Sequence, residues 1–191
     1  MRRTATNLTL PGGPCRLEVF DWENNTQPSI VVSAGPPNPT PYVRIQSECF
    51  TGHVLDAQSC DCRGQLELSL RKIHDHGGIL IYLRQEGRGI GLFSKVESYI
   101  LQKQGLDTVD ANKRLGFEVD PRTYEEAAEI LKILGLHEIY LLTNNPKKVK
   151  SLQEMGIRIK GTIAVPPDIK PTNIAYLTTK KERMGHDFTL Q

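Results

Sequence analysis

The stretch QLELSLRKIHDHGGILIYL, residues 65–83, contains a helix pattern and a strand pattern in succession. Leucines and an isoleucine are interspersed with charged residues over Gln65–His76, which predicts an amphipathic helix that Gly77 and Gly78 end. The short apolar run Ile79–Leu83 that follows is typical of a buried strand. A helix joined directly to a buried strand is characteristic of α/β domains.

Helix and strand patterns continue to alternate toward the C-terminus. Glycines follow several of the helix patterns, and Pro146 suits the first position of the last one. The predicted helices and strands are Leu92–Gln104, Tyr124–Leu134, Ile139–Leu142, Lys147–Met155 and Arg158–Val165, of which the third and fifth are strands.

The N-terminal residues 1–41 alternate short apolar pieces with turn-forming residues and end in the proline-rich Pro36–Pro41. This composition predicts a hairpin-rich segment followed by a loop. We therefore expect the fold class to be α/β, with a mixed sheet flanked by helices and a β-rich N-terminal segment. Neither a repeat nor a composition shift divides the sequence, so we expect residues 1–191 to form a single domain.

Length and composition limit the function classes. A chain of 191 residues can bury an apolar core without disulfides. The formal net charge of +2 gives no reason to expect nucleic-acid binding. The N-terminal MRRTATNLTLPGG lacks the apolar run of a signal peptide, and no segment approaches the ~20 apolar residues that span a bilayer. We expect a soluble cytoplasmic protein that does not bind membranes.

The stretch SECFTGHVLDAQSCDC, residues 47–62, holds three of the four cysteines. In a reducing cytosol such a cluster is more typical of a metal site than of disulfides. Three protein ligands leave a zinc ion one position for water, whereas four close the site. The spacing favours an open zinc site made by Cys49, Cys60 and Cys62. A closed site completed by His53, and three unrelated core cysteines, remain as alternatives.

Two polar loops follow predicted strands and precede predicted helices. They are Arg84–Gly91, which contains glycines and two arginines, and Thr143–Lys148, which ends in two lysines. Backbone amides at a helix N-terminus bind anions, and such loops gather at one edge of an α/β sheet. The pair therefore indicates a polyphosphate substrate. A third loop contains Asp120 and Arg122, and helix capping is the simplest interpretation of Asp120.

Seven motifs occur in the same order in a known enzyme family. They are RIQSECFTG, CDC followed by Gln65, LRQEGRGIGL, GLDTVDAN, GF followed by D, R and Y, LLTNNPKK, and KKERMGH. Through them the chain resembles GTP cyclohydrolase II, the enzyme that opens riboflavin biosynthesis. The resemblance extends over Val43–His186, whereas residues 1–42 match only in general character.

The resemblance implies zinc-dependent hydrolysis of GTP that opens the guanine imidazole ring. Formate and pyrophosphate would be released, leaving 2,5-diamino-6-(5-phosphoribosylamino)pyrimidin-4(3H)-one for riboflavin or a related specialised metabolite. A second possibility is an altered relative that binds GTP without full turnover or stops at the formamidopyrimidine. The family also implies a homodimer, one Zn²⁺ in each subunit and Mg²⁺ on the triphosphate.

The resemblance also implies residue roles. Cys49, Cys60 and Cys62 match the zinc ligands, and Tyr99 matches the tyrosine of the ring-opening step. Asp120 and Arg122 match the aspartate and the arginine nucleophile, although on charge grounds alone Arg122 would stabilise phosphate. The positions that match GTP contacts are Arg44, Ile45, Gln46, Ser47, Glu48, Gln65, Glu86, Gly87, Arg88, Thr108, Thr143 and Lys148.

Three residues near the cysteines depart from the family pattern. Gln46 replaces a histidine, His53 an aspartate and Arg63 a glycine. Gln46 still forms hydrogen bonds but does not titrate, whereas His53 places an imidazole four residues after Cys49. These changes indicate a divergent member of the family.

Overall fold

The structure is a computed structural model that describes residues 1–23 and 27–189. These residues form two compact units. The sheet unit consists of the described parts of Met1–Gln46, together with Leu66–Arg84 and Tyr124–Val165. The cysteine unit consists of Ser47–Gln65, Gln85–Thr123 and the described part of Pro166–Gln191.

A mixed seven-stranded sheet organises the sheet unit, with the strand order β1-β2-β3-β5-β4-β6-β7. The first three strands form an antiparallel meander, and β3 pairs antiparallel with β5. At the other side β4 pairs parallel with β6, and β6 with β7. The expected α/β class and β-rich N-terminal segment are confirmed. The strands are β1 (Arg2–Leu10), β2 (Gly13–Asp21), β3 (Ser29–Ala34), β4 (Tyr42–Ser47), β5 (Gly78–Leu83), β6 (Glu138–Leu142) and β7 (Arg158–Ile163).

Seven α-helices and a 3-10 turn at Glu86–Gly89 occur in the described part of the chain. No helix there is both long and apolar enough to cross a membrane. The helices are α1 (Phe50–His53), α2 (Cys62–His76), α3 (Gly91–Lys103), α4 (Thr108–Arg114), α5 (Glu125–Ile133), α6 (Pro146–Glu154) and α7 (Ile174–Met184).

The junction between α2 and β5 depends on Gly77. Its φ of 78° lies in the left-handed region, and a Cβ added there would lie 1.9 Å from the carbonyl oxygen of Pro36. Only glycine satisfies both conditions, so the helix ends there and β5 begins at the next residue.

A continuous apolar core fills the sheet unit. The strands contribute alternate or consecutive side chains, and α5 contributes one face with Ala127, Ala128, Ile130 and Leu131. Fully burying one leucine or isoleucine side chain stabilises the fold by about 1.5–3 kcal/mol. The predicted helices and strands that supply this core are all present, with shifts of a few residues at their ends.

The sequence did not predict α1, α4 or α7. Helix α4 has seven residues, too few to show a helical period, and it is specified locally by its cap. Asp107 accepts a hydrogen bond from the Asp110 backbone N–H at 2.8 Å. Helix α2 also begins at Cys62, three residues before the predicted Gln65, so it carries one of the cysteines.

Candidate functional site

The three clustered cysteines converge within the cysteine unit. Cys49 precedes α1, Cys60 lies in the following loop, and Cys62 begins α2. Their sulfur atoms all lie within 4.8 Å of one another, and the Sγ atoms of Cys49 and Cys60 are 4.0 Å apart. The fold therefore brings together cysteines that are separated along the sequence. Three thiolates at this spacing form a donor set that zinc prefers.

Gly52 leaves room beneath the sulfur atoms. A Cβ at this position would lie 2.9 Å from Cys60 Sγ, 2.9 Å from Cys62 Cβ and 3.1 Å from Cys49 Sγ. Any larger residue would therefore press on the side chains of all three cysteines. The glycine and the convergent thiols together fit a metal ion held by three cysteines.

Lys95 on α3 provides a positive charge beside the cluster. Its Nζ donates hydrogen bonds to Cys49 Sγ at 3.2 Å, Thr51 Oγ1 at 2.9 Å and Glu86 Oε1 at 2.7 Å. Lys95 is 9% exposed and Glu86 8% exposed, so this is a buried ion pair. Glu86 Oε2 in turn accepts a hydrogen bond from the Phe50 backbone N–H.

The cysteines differ in how readily they ionise. Hydrogen bonds from Cys60 and Cys62 hold the pKa of Cys49 well below its usual range, and the charge of Lys95 acts in the same direction. The same hydrogen bonds to Cys49, with burial, raise the pKa of Cys60 and of Cys62. The Lys95 ammonium therefore favours the thiolate form of Cys49, and a bound cation would favour ionisation of all three.

Lys95 remains charged in spite of its burial. Burial by itself lowers the pKa of the ammonium, but the Cys49 thiolate and Glu86 together outweigh it and raise the pKa of Lys95. Sequence reasoning did not identify Lys95. The available signal was its position four residues before Tyr99, because residues at this spacing share one helix face.

The His53 imidazole hydrogen-bonds to the backbone of two of the cysteines. Its Nδ1 accepts a hydrogen bond from the Cys49 backbone N–H at 3.3 Å, and the imidazole also hydrogen-bonds to the backbone of Cys62. Among the described residues, the group that can hold a metal consists of the three cysteines without His53. The imidazole thus connects two ligand-bearing segments, which supports the open arrangement over the closed one.

Tyr99 lies one turn after Lys95 on α3, and its hydroxyl is 3.3 Å from Thr51 Oγ1. Lys95 Nζ is 5.8 Å from the centre of its ring. Burial raises the pKa of the Tyr99 phenol, so this group keeps its proton at neutral pH. A protonated phenol near the cysteines can donate a hydrogen bond or a proton.

Arg88 follows Glu86 and Gly87 in the 3-10 turn. Gly87 and Arg88 both have positive φ, 61° and 66°, and for the arginine this backbone conformation is strained. Its guanidinium lies 5.9 Å from the centre of the Tyr176 ring. Its Nη1 is buried and has no hydrogen-bond partner in the described part of the chain. A buried donor of this kind suits an anion.

Asp120 and Arg122 form a two-pronged ion pair. Arg122 Nε donates to Asp120 Oδ1 and Nη2 to Asp120 Oδ2, each at 2.6 Å. Although burial alone would raise it, the pKa of Asp120 is lowered by Arg122 and, to a lesser extent, by Arg88. The helix-capping interpretation of Asp120 is wrong, because α5 begins at Glu125 and its cap is Tyr124.

Four other residues of the cysteine unit are predicted to contact the substrate. Gln65 Nε2 donates to Asp61 Oδ2 at 2.7 Å, and Ser47 Oγ lies 3.4 Å from Gln85 Oε1. Thr108 at the start of α4 donates through Oγ1 to Gln102 Oε1 at 3.2 Å. Glu48 is half-buried.

Five predicted substrate residues belong to the sheet unit, on β4 and after β6. Arg44 Nε donates to Gln46 Oε1 at 2.8 Å, and Arg44 Nη1 to the Leu142 carbonyl at 3.0 Å. Lys148 is 5% exposed, and its Nζ donates to the Ile45 carbonyl at 2.8 Å. Lys148 thus bonds to the strand that carries Arg44, and both buried cations belong to the sheet unit. That the two polar loops meet at one edge of the sheet stays a prediction.

Thr143 and Asn145 shape the turn that leads into α6. Thr143 Oγ1 accepts from the Asn145 backbone N–H at 3.0 Å, and Asn145 Oδ1 accepts from the Lys147 backbone N–H at 2.9 Å. Asn145 therefore caps the helix, and Pro146 follows at its first position.

Arg63, the third departure from the family pattern, faces solvent. Its Nε is 4.0 Å from Asp56 Oδ1, and both side chains are about half exposed. A pair of this kind contributes little to stability.

Comparison with known proteins identifies the family. A family model described as GTP cyclohydrolase II matches residues 2–164. A GTP cyclohydrolase-2 from Psychromonas ingrahamii is 41% identical over 194 residues, which covers 97% of each chain. A GTP cyclohydrolase-2 from Campylobacter fetus is 53% identical over 144 residues, 75% of this chain and 73% of the relative.

Longer relatives also match. A riboflavin biosynthesis protein RibBA from Staphylococcus saprophyticus is 47% identical over 167 residues, 87% of this chain but only 42% of the relative. The chain thus spans less than half the length of the RibBA protein and nearly all of the Psychromonas protein. The extent of the family match and the motifs that form the site lead to one conclusion: the chain belongs to the GTP cyclohydrolase II family.

Proposed function

We propose that this protein hydrolyses GTP at the guanine imidazole ring and at the triphosphate. The products are formate, pyrophosphate and 2,5-diamino-6-(5-phosphoribosylamino)pyrimidin-4(3H)-one, a precursor of riboflavin or of a related metabolite. The observation that carries the proposal is the three-cysteine cluster with Lys95 against it, in a chain of this family.

Cys49, Cys60 and Cys62 would hold one zinc ion. Zinc held by three thiolates supplies a Lewis acid that lowers the pKa of water toward neutrality, which suits hydrolysis at C8 of guanine. Lys95 offsets part of the negative charge of the thiolates and forms a buried ion pair with Glu86. His53 holds the two backbone segments that carry the ligands.

Gln65 and Tyr99 would act on the base. An amide presents both a donor and an acceptor, which matches the polar edge of guanine, and Asp61 restricts the rotation of the Gln65 amide. Tyr99 retains its phenolic proton at neutral pH and lies beside Thr51, near the cysteines. It can therefore protonate a nitrogen of the imidazole ring as the ring opens.

Arg88 and Arg122 would act on phosphates. Arg88 has a buried Nη1 that lacks a partner in the described residues, and Arg122 is held by Asp120 in a fixed orientation. An arginine paired with a carboxylate keeps its proton, so we propose phosphate stabilisation for Arg122. The family role of Arg122 as nucleophile, activated by Asp120, is the alternative, and trapping of a covalent guanylyl adduct would favour it.

The remaining family positions are proposed to contact GTP as well. Arg44 and Lys148 are buried cations of the sheet unit that suit phosphate oxygens. Mg²⁺ would accompany the triphosphate, since it needs few protein ligands.

We also propose the homodimer that the resemblance implies. Helix α3 exposes Leu92, Phe93, Val96 and Ile100 on adjacent turns, and Phe93 is 79% exposed. An apolar stripe of this kind is typical of a contact between subunits. Light scattering of Phe93→Glu tests this: a dimer that dissociates supports the stripe as the contact, and a wild-type monomer would contradict the proposal.

Mass analysis of the products from GTP, with and without a zinc chelator, tests the main proposal. The zinc-loaded protein should release formate and pyrophosphate, and the chelated protein should lose formate release until zinc is restored. Folded, zinc-loaded protein that releases neither product would refute the proposal. Binding of GTP without products would identify the altered relative instead.

The Tyr99→Phe variant tests the ring-opening role separately. The formylated pyrimidine should accumulate, because the phenolic proton is lost while the metal ligands remain. Tyr140→Phe on β6 is the matched control and should give the wild-type products. An unchanged product ratio in Tyr99→Phe would remove this residue from the proposed mechanism.

A further inference from the structure

A buried carboxylate lies between two of the metal-binding cysteines. Asp61 separates Cys60 from Cys62, and it is only 1% exposed. It accepts the hydrogen bond from Gln65 Nε2 at 2.7 Å. A carboxylate buried to this degree requires a cation, because loss of hydration strongly disfavours its charge.

Lys180 on α7 supplies this cation. Its Nζ lies 3.0 Å from Asp61 Oδ1 and 3.2 Å from Oδ2, and the residue is 8% exposed. The ring of Tyr176, one helical turn earlier, lies 5.2 Å from Nζ and adds a cation–π contact. The ammonium is thus fixed by a carboxylate and an aromatic face.

We propose that Lys180 is a positioning residue that acts through Asp61 on the cysteine loop and on Gln65. The inference rests on the proposed function, in which the cysteines hold zinc and Gln65 contacts guanine. Helix α7 lies beyond residues 2–164 that the family model matches, and Lys180 is the first residue of the KKERMGH motif.

The physical reason is the charge left behind when Lys180 is absent. Asp61 would then be a buried carboxylate without its ion-pair partner, and the loop that carries it would have to move toward water. Movement would change the distance between Cys60 and Cys62 and release the Gln65 amide. Both metal retention and GTP recognition should therefore weaken together.

The experiment compares Lys180→Met with Lys181→Met. Lys181 is the next residue on the same helix, and it is exposed and forms no ion pair among those identified in the described residues. Both variants are loaded with cobalt, and the thiolate-to-cobalt absorption and the rate of cobalt transfer to a chelator are measured. Lys180→Met should release cobalt roughly 10–100-fold faster, as expected for loss of a group that orients a ligand. Lys181→Met should behave as wild type.

Kinetics with excess zinc provide a second measurement. Under these conditions Lys180→Met should raise the KM for GTP more than it lowers kcat, because Gln65 loses its fixed orientation. The double variant Lys180→Met with Asp61→Asn should release cobalt no faster than the worse single variant, since both changes remove one interaction. Additive losses would overturn the proposal.

The outcomes separate this inference from the proposed function. If wild-type protein takes up no metal, both fail. If the wild type binds cobalt and Lys180→Met matches it in spectrum, release rate and KM, only the role of Lys180 fails. A lower unfolding free energy of Lys180→Met with unchanged metal release and KM would show a purely structural role and would also overturn it.

Discussion

The sheet unit and the cysteine unit bury different kinds of side chain. The largest fully buried side chains, among them Phe20, Ile81, Leu131 and Leu152, all belong to the sheet unit. The sheet unit also buries Glu18, Arg44 and Lys148, but the charged groups buried in the cysteine unit, Asp61, Glu86, Lys95 and Lys180, form ion pairs close to the three cysteines. Large apolar side chains thus dominate the interior of the sheet unit, and buried ion pairs are prominent in the cysteine unit.

The two units therefore differ in how their interiors respond to substitution. Apolar burial stabilises regardless of partner identity, whereas a buried ion pair depends on both of its members. The charged interior of the cysteine unit therefore makes that unit sensitive to single substitutions. The charge of Lys95 lowers the pKa of Cys49, so changes among these groups should affect metal binding as well as folding.

The Cys60→Ser substitution should have the largest effect. Loss of one thiolate should reduce formate release by on the order of 100-fold or more, while part of the pyrophosphate release persists. Cys15→Ser in β2 is the matched control, since Cys15 is a buried thiol of the sheet unit outside the cluster. Parallel assays of formate and pyrophosphate measure the effect. An equal loss of both products in folded, GTP-binding protein would contradict the proposal that the cysteines serve ring opening and other residues serve pyrophosphate release.

Lys95→Met should weaken both folding and metal binding. It leaves Glu86 buried without its cation, which should lower the unfolding free energy by about 3–5 kcal/mol. It also removes the positive charge next to Cys49, so zinc affinity in chelator competition should fall. Lys103→Met, exposed at the end of the same helix, is the control for both measurements. Unchanged zinc affinity in Lys95→Met would remove the link between the buried charges and the cysteines.

Leu131→Ala in α5 should destabilise the sheet unit without altering the metal site. Its side chain is fully buried, so the cavity should lower the unfolding free energy by about 2–5 kcal/mol. Denaturant unfolding and the zinc affinity of the folded variant are the two measurements. A matching fall in zinc affinity would show that the two units are not as distinct as their interiors indicate.

The Asp120–Arg122 pair should give a smaller, pH-dependent effect. The pKa of Asp120 is lower in the folded protein, so its contribution to stability is present above the unfolded value of about 3.9. This contribution is lost as the pH falls through the folded pKa. The difference in unfolding free energy between wild type and Asp120→Asn should be constant near neutral pH and shrink below about pH 4. A difference that grows on acidification would contradict the ion pair.

The sequence predicted the sheet unit more completely than the cysteine unit. The patterns over Ile79–Leu83 and Tyr124–Leu134 predicted a strand and a helix because apolar packing leaves a periodic signal. Helices α4 and α7 were not predicted, since α4 is short and α7 buries a lysine on the face where a periodic pattern needs apolar residues. In the sequence, a charged residue that the fold buries cannot be distinguished from a charged residue at the surface.

The candidate site was also predicted only in part from the sequence. Residue type and spacing indicated Cys49, Cys60 and Cys62 as metal ligands, because few residues bind zinc and their clustering is visible along the chain. The partners that surround them come from distant positions. Lys95 is 46 residues from Cys49, and Lys180 is 119 residues from Asp61.

The α/β class, the candidate metal ligands and the family motifs could be predicted from the sequence, since each is encoded locally by periodicity or by residue chemistry. That His53 hydrogen-bonds to the backbone of two cysteines, and that Lys95 and Lys180 are buried cations, follows only from the three-dimensional arrangement. The physical reason is that the effect of a charge or a ring nitrogen depends on what surrounds it. Those surroundings are assembled from segments that are far apart in the chain.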